Sequence, residues 1–239
     1  MTHCEPSART PLRVAITGGT SGLGLALVRA LAARGDAVAF VARDGARVQR
    51  IAAEIAASHG IVGDVAKKED AHRVALQIGG ALGGLDVLVH NASSLGPVPL
   101  ALLADTDCED FEAALAANVL GPFRLTKALL GLLAASARES KEGGARSLVV
   151  SVTSDAAVTP YAGWGAYGAS KAALLHMSRI WHEELAPHGV AAIAVDPGDM
   201  DTPLHAAAVP DADLATLKDP RDAAREIVDR IDAERAKKV

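Results

Sequence analysis

An apolar run from Leu12 to Thr17 stops abruptly at Gly18-Gly19-Thr20-Ser21-Gly22-Leu23-Gly24, and an amphipathic stretch from Leu25 to Ala33 follows directly. Few architectures accept that order. Strand, glycine turn and helix in succession bring a pliable backbone up to the free N–H groups and positive dipole end of a helix N-terminus, which together accept a diphosphate. The spacing is Gly-x-x-x-Gly-x-Gly rather than the commoner Gly-x-Gly-x-x-Gly. The flanking strand and helix therefore carry as much of the argument as the glycines themselves. A glycine turn with a purely structural purpose is the other reading of this stretch.

The alternation continues to the end of the chain. Strands are expected at Ala37 to Ala42, Gly60 to Gly63, Asp86 to His90, Leu148 to Val152 and Val190 to Val195. Helical patterns run from Lys67 to Leu82, from Glu109 to Ala137, through Tyr167 as far as Pro187-His188-Gly189, and from Pro220 to about Ala236. Strands alternating with helices predict an α/β fold: one Rossmann-type, doubly wound parallel sheet of about six strands with helices on both faces. No linker interrupts the pattern, so residues 12–239 read as a single domain behind a flexible arm over residues 1–11. Half of the 239 residues are apolar but only 3% are aromatic. The core must then be aliphatic and alanine-rich, as suits helices layered on a Val/Ile/Leu sheet.

Composition also removes classes of partner. A formal charge of -5 without a basic stripe argues against nucleic acid. No apolar run reaches bilayer length, and the N-terminus lacks the apolar segment of a signal peptide, so a cytoplasmic protein without membrane contact is expected. Cys4 and Cys108 make neither a disulfide framework nor part of a metal cluster.

Chemistry concentrates in LVVSVTSDAAVTPYAGWGAYGASK, residues 148–171. Tyr167 and Lys171 are four apart and share a helix face. Ser154 leaves the strand end thirteen residues before Tyr167, near enough in chain for the loop to fold it back. A phenol beside an ammonium and a hydroxyl can transfer a proton. Bringing a tyrosine from its ordinary pKa of about 10 to about 7 takes roughly 4 kcal/mol, which a buried lysine and an oxidised nicotinamide could supply. Taken alone, Tyr-x-x-x-Lys also fits two residues on an exposed helix face. Two further positions stand out. Arg43 directly follows the second strand, where an acidic residue usually reads a ribose 2′-hydroxyl; a guanidinium there suits a 2′-phosphate, or is a solvated charge. Asp44 after it reads as a helix N-cap. Asn118 is locally unfavourable within an alanine- and leucine-rich helix, and either points at water or has a purpose.

With these placed, the chain resembles the short-chain dehydrogenase/reductase family from Leu12 to about Ile231. The motifs come in the family's order: Thr17-Gly18-x-x-x-Gly22-x-Gly24, Asp64-Val65, Asn91-Ala92, Asn118, Ser154, Tyr167-x-x-x-Lys171, and Pro197-Gly198 with Thr202. The resemblance implies an NADP(H)-dependent carbonyl reductase or alcohol dehydrogenase. Tyr167 would be the acid/base, Lys171 would lower its pKa and hold the nicotinamide ribose, Ser154 would bond the substrate oxygen, and Asn118 would hold a water linking Lys171 to solvent. The cofactor would lie against Gly18, Thr20, Ser21, Gly22, Leu23, Gly24, Arg43, Asp64, Val65, Asn91, Ala92, Ser93, Pro197, Gly198 and Thr202, with Asp64 at the adenine and Thr202 at the carboxamide. A homodimer through the Asn118 and Tyr167 helices is implied. The chain ends without the family's usual seventh strand, so the tetramer lacks its usual contact. Two further departures are Ser93 in place of the family's glycine, and Ser21 where many NADP-preferring members carry Arg or Lys.

Pro160-x-x-Gly163-Trp164-x-x-Tyr167 and Pro197-Gly198-x-x-Asp201-Thr202 are similar to the sepiapterin reductase and benzil reductase branch, which makes a diketone reductase the alternative within the family. The rival from another class is a non-catalytic NADP(H)-sensing protein of the same fold. The substrate is expected between Ser154, Trp164 and the segment Met200 to Leu217, with Leu95, Trp164, Met200, Leu204 and Leu214 as apolar lining. His205 to Lys218 has no firm period and is expected to be a mobile lid.

Overall fold

The structure is a computed structural model that describes residues 10–140 and 145–237. Of the expected N-terminal arm only Thr10 and Pro11 fall within it. Six strands form one sheet: β1 (Arg13–Thr17), β2 (Ala37–Ala42), β3 (Ser58–Val62), β4 (Val87–His90), β5 (Ser147–Val152) and β6 (Val190–Val195). Their order is β3-β2-β1-β4-β5-β6, and every pairing is parallel. The order reverses between β1 and β4, the position at which open α/β sheets leave a crevice beyond the strand ends.

Alternation along the strands divides the core into two layers. Val14 and Ile16 of β1 face one side, packed with α1 (Gly22–Ala33), α2 (Gly45–Glu54) and the final helix α8 (Pro220–Arg235). Ala15 faces the other, where α3 (Asp70–Leu82), α5 (Gly121–Glu139) and α6 (Gly165–Leu185) cover Val41, Leu88 and Val149. Both layers are aliphatic, with Phe40 as the one large aromatic among the described residues that is fully buried.

Several boundaries differ from those the sequence predicts, and three of the differences have a local physical reason. β3 begins at Ser58 rather than Gly60. It is an edge strand, and its exposed His59 and Gly60 leave no apolar run to mark it. α3 begins at Asp70 rather than Lys67, because residues 67–69 form turns and the Asp70 carboxylate accepts the Asp64 N–H at 2.8 Å. The single pattern over Glu109 to Ala137 resolves into α4 (Cys108–Leu115), a π-helical turn (Ala116–Leu120) and α5. Pro122 in the first turn of α5 has no N–H to continue the ladder, which suits a wider turn just before it. The combined run Cys108–Glu139 is long and apolar enough to cross a membrane, contrary to the sequence reading. Its apolar residues Leu125, Leu129 and Leu133 are buried in the second layer, so it is a core helix. A further helix, α7 (Pro203–Ala208), stands inside the segment expected to be irregular; Thr202 caps it and Pro203 occupies its first position.

Candidate active site

A groove of about 1080 Å³ runs across the carboxyl ends of the strands. Its floor is the switch point itself. Asn91, just after β4, donates from Nδ2 to the carbonyls of Thr17 at 2.9 Å and Gly18 at 3.2 Å. Thr17 Oγ1 in turn accepts from the N–H groups of Asn91 and Ala92, each at 3.1 Å. These bonds stitch β1 to β4 where no ladder continues. Above them the glycine turn lies too close to its neighbours to carry side chains. A Cβ on Gly24 would stand 2.1 Å from the Gly18 carbonyl oxygen, and one on Gly18 (φ +72°) would stand 2.9 Å from Ala92 Cα. The α1 N-terminus has no side-chain cap and no acidic residue in its first turn, which leaves its N–H groups to the groove. Backbone close approach and an uncapped helix end together fit a diphosphate.

The cofactor residues expected from the sequence all line this groove: Gly18, Thr20, Ser21, Gly22, Leu23, Gly24, Arg43, Asp64, Val65, Asn91, Ala92, Ser93, Tyr167, Lys171, Pro197, Gly198 and Thr202. Arg43 is exposed at one end and makes no hydrogen bond or ion pair among the described residues. Asp44 does cap α2, accepting the Arg47 N–H at 3.0 Å. Asp64 is held by a turn in which its Oδ1 accepts the Ala66 N–H at 3.0 Å.

At the other end Tyr167 and Lys171 lie on the buried face of α6, one turn apart, beneath the end of β5. Lys171 is 2% exposed; its Nζ sits 5.4 Å from the centre of the Tyr167 ring and donates to the Val152 carbonyl at 2.8 Å. Burial brings this lysine down to about 8, with Asp196 opposing the fall. Burial also dominates at Tyr167 and pushes its phenol up to about 12, while the hydroxyls of Ser154 and Ser93 pull it back. The sequence reading has Lys171 lower the phenol; in the structure desolvation outweighs every favourable group, and the tyrosine is held as a neutral acid. Ser154 starts a 3₁₀ turn (Asp155–Ala157), and its Oγ accepts the Ala156 N–H at 3.2 Å.

Asn118 does not line the groove and does not face water. It is fully buried in the π-helical turn, where its Oδ1 accepts the Ser94 N–H at 2.8 Å. Its Nδ2 donates to the Ser94 carbonyl and to Ser170 Oγ, both at 2.8 Å. The side chain thus fastens α6 to the loop after β4 from behind Tyr167.

Trp164 meets Tyr167 edge to face, with ring centres 5.7 Å apart. Together with Leu95, Met200 and Leu204 it gives the groove an apolar wall. Leu214, expected to join them, is 65% exposed and lies outside the lining. Sequence reasoning missed Asp155, Tyr161, Asp196 and Asp199, which line this end beside His205 and Asp213 of the expected 200–217 segment. Asp155 is bonded by Tyr161 Oη at 2.7 Å and by Ser154 Oγ at 2.9 Å, and these donors hold its carboxyl below the usual range. Arg43 and Arg47 line one end of the groove together with Asp44 and Asp64, and these aspartates line the other with Lys171.

The short chain dehydrogenase family model matches residues 13–213. A short chain dehydrogenase of Pseudocercospora fijiensis is 33% identical over 80% of this chain and 60% of its own length. Serine 3-dehydrogenase of Agrobacterium fabrum is 31% identical over 79% of this chain and 72% of its own length. The chain thus spans less than two thirds of some curated relatives that it matches. Among solved structures, a short chain dehydrogenase from Salmonella enterica superposes with a TM-score of 0.85 at 26% identity, over 96% of this chain and 93% of that one. One from Burkholderia cenocepacia in complex with NADP gives 0.80 at 28%, over 92% and 90% of the two chains. A 3-ketoacyl-(acyl-carrier-protein) reductase from Brucella melitensis complexed with NADH gives 0.81 at 26%, over 90% and 88%. The chain belongs to the short-chain dehydrogenase family.

Proposed function

We propose that this protein is an NADP(H)-dependent oxidoreductase that interconverts a carbonyl and an alcohol. The observation that carries the reading is the convergence of Ser154, Tyr167 and Lys171 in one groove with a glycine turn fit for a diphosphate. When bound, the nicotinamide would supply or accept a hydride. Tyr167 gives its proton to the carbonyl oxygen in reduction and takes it back in oxidation, a role typically worth 10²–10⁴-fold in rate. Lys171, fixed by the Val152 carbonyl, favours the phenolate that results. Ser154 and Tyr167 orient the substrate oxygen, and Leu95 with Trp164 keeps water from the reacting atoms. Arg43 supports the preference for a 2′-phosphate, since its guanidinium has no other partner among the described residues.

The test is turnover of purified protein with NADPH against aldehydes, 3-ketoacyl thioesters, aromatic diketones and pterins, and of L-serine with NADP⁺. The diketones and pterins follow from the Pro160 to Tyr167 motif. Activity on a carbonyl that disappears in Tyr167→Phe is the expected result. NADPH binding with no turnover on any of them would favour a sensor. We further propose a cytoplasmic homodimer. The free, exposed Cys108 thiol suits a reducing compartment. Leu120, Phe123 and Ile180 remain exposed on and beside α5 and α6, as a dimer contact requires. Sedimentation of a Phe123→Glu, Ile180→Glu variant as monomer, against a dimeric wild type, tests it.

A further inference from the structure

Asp155 directly follows Ser154, and its carboxylate lines the groove. Two hydroxyls hold it. Ser154 Oγ donates to Oδ1 at 2.9 Å, and Tyr161 Oη donates to Oδ2 at 2.7 Å. The neighbouring aspartates are attached elsewhere: Asp196 accepts the Gly198 N–H at 2.9 Å, Asp213 accepts the Ala215 N–H at 3.0 Å, and Asp199 stands 3.8 Å from His205. Among the described residues, Asp155 is the carboxylate bonded to the serine that the proposed reaction uses. A serine has one proton to donate, and orienting a substrate oxygen takes it away from Asp155. A substrate that brings its own cation to that carboxylate replaces the hydrogen bond it takes. Ser154 Oγ and Asp155 Oδ1 lie 2.9 Å apart. A vicinal amino alcohol in its gauche rotamer holds oxygen and nitrogen at about that separation, so one can meet the serine while the other meets the carboxylate. Both tyrosines of the chain and one of its two tryptophans line the same groove, and ring faces attract an ammonium. The cation nearest to them, Lys171, is spent on the Val152 carbonyl.

We propose that Asp155 is a specificity residue that selects a vicinal amino alcohol, or the matching α-amino ketone, with an apolar body. This rests on the reading of Ser154 and Tyr167 as the groups that bind the reacting oxygen. The ammonium takes Asp155 Oδ1, Tyr161 stays on Oδ2, and the Ser154 hydroxyl turns to the substrate oxygen. In reduction the carbonyl carbon gains a hydride from the reduced nicotinamide, and its oxygen gains the Tyr167 proton. The C–N bond and the Ser154 proton are untouched. Leu95 and Trp164 face the apolar body.

The probes are 2-amino-1-phenylethanol, its isostere 1-phenyl-1-propanol, in which a methyl replaces the ammonium, and the anion mandelate. Calorimetric titration into the Tyr167→Phe protein saturated with NADP⁺ measures binding without turnover. The amine should bind about 10-fold more tightly than the isostere, the low end for a charged hydrogen bond because Asp155 is exposed, and mandelate more weakly than either. Asp155→Asn in that background should remove most of the difference between amine and isostere. Asp199→Asn takes the same charge from the same end and should remove less. Ser154→Ala should weaken both ligands and keep their difference. The proposal is overturned if the amine fails to bind at millimolar concentration or binds no better than the isostere. It is also overturned if the preference survives Asp155→Asn, falls as far in Asp199→Asn, or is lost in Ser154→Ala. The titration needs no hydride transfer, so it separates this inference from the oxidoreductase reading, which the turnover assay judges alone.

Discussion

The Nζ of Lys171 donates to the backbone carbonyl of Val152 at 2.8 Å, joining the buried face of α6 to the last residue of β5. That single bond fixes the cation beneath the Tyr167 ring. Burial has shifted the lysine from its ordinary 10.5 to about 8. An ammonium held this way works against folding at neutral pH by about 3 kcal/mol. Between pH 8 and 10.5 the unfolded chain binds the proton more tightly than the folded one, so the lysine's penalty fades as pH rises. Lys171→Met keeps the apolar stem and removes the charge, although the Val152 carbonyl then loses its donor. The stability of this variant relative to wild type should fall by about 3 kcal/mol between pH 7 and 10.5 as wild type gains. Urea unfolding across that range measures it. Parallel profiles would show that Lys171 is not buried as a cation.

Tyr167→Phe removes only the transferable proton. It should cost 10²–10⁴-fold in kcat and leave NADPH affinity nearly unchanged. Lys171→Ala should damage both, because the reading also gives it the ribose. A Phe variant that retained more than about a tenth of wild-type activity would mean that another group is the acid.

How much of this site could be read from the residues depended on the range of the contacts. The Asp44 cap is a local matter, settled by a carboxylate three residues before the N–H it accepts. Strands β2 and β6 have the expected bounds because each is a continuous apolar run. Asn118 was ambiguous because its partners lie 24 and 52 residues away, at Ser94 and Ser170. No spacing rule announces them. The Tyr167 phenol went the other way from expectation for a similar reason: spacing identifies the neighbouring lysine, but desolvation is a sum over everything packed around the ring. The aspartates of the substrate end come from three separate loops, and only the sheet brings them together.

The segment between Met200 and Lys218 is pinned at its base and loosely held above it. The Asp201 N–H meets the Lys218 carbonyl at 3.1 Å, the Lys218 N–H meets the Asp199 carbonyl at 2.9 Å, and Lys218 Nζ pairs with Glu226 at 2.8 Å. Within the loop, α7 and the 3₁₀ turn (Leu214–Thr216) contain no buried residue, yet Leu204, His205 and Leu217 face the groove. Few buried contacts mean a low local opening energy. Amides of residues 203–217 should exchange quickly in the free protein and slow on addition of NADPH and a turned-over substrate, while those of α6 stay protected throughout. Protection equal to that of α6 in the free protein would remove the lid.

Cofactor choice turns on the end of β2, where Ala42 and Arg43 stand at the groove. Arg43 has no competing carboxylate among the described residues, whereas Arg47 lies 3.8 Å from Asp44. A hydrogen bond to a charged group is worth about 1.5–3 kcal/mol net, so Arg43→Ala should weaken NADPH roughly 10- to 150-fold and scarcely alter NADH. Ala42→Asp with Arg43→Ile should go further. It removes the phosphate's partner, sets a carboxylate against the phosphate, and offers the NADH ribose 2′-hydroxyl an acceptor. The measurement is kcat/KM for both cofactors in wild type and both variants. If wild type favours NADH, or Arg43→Ala leaves NADPH untouched, then Arg43 is a solvated charge and the preference lies elsewhere in the groove.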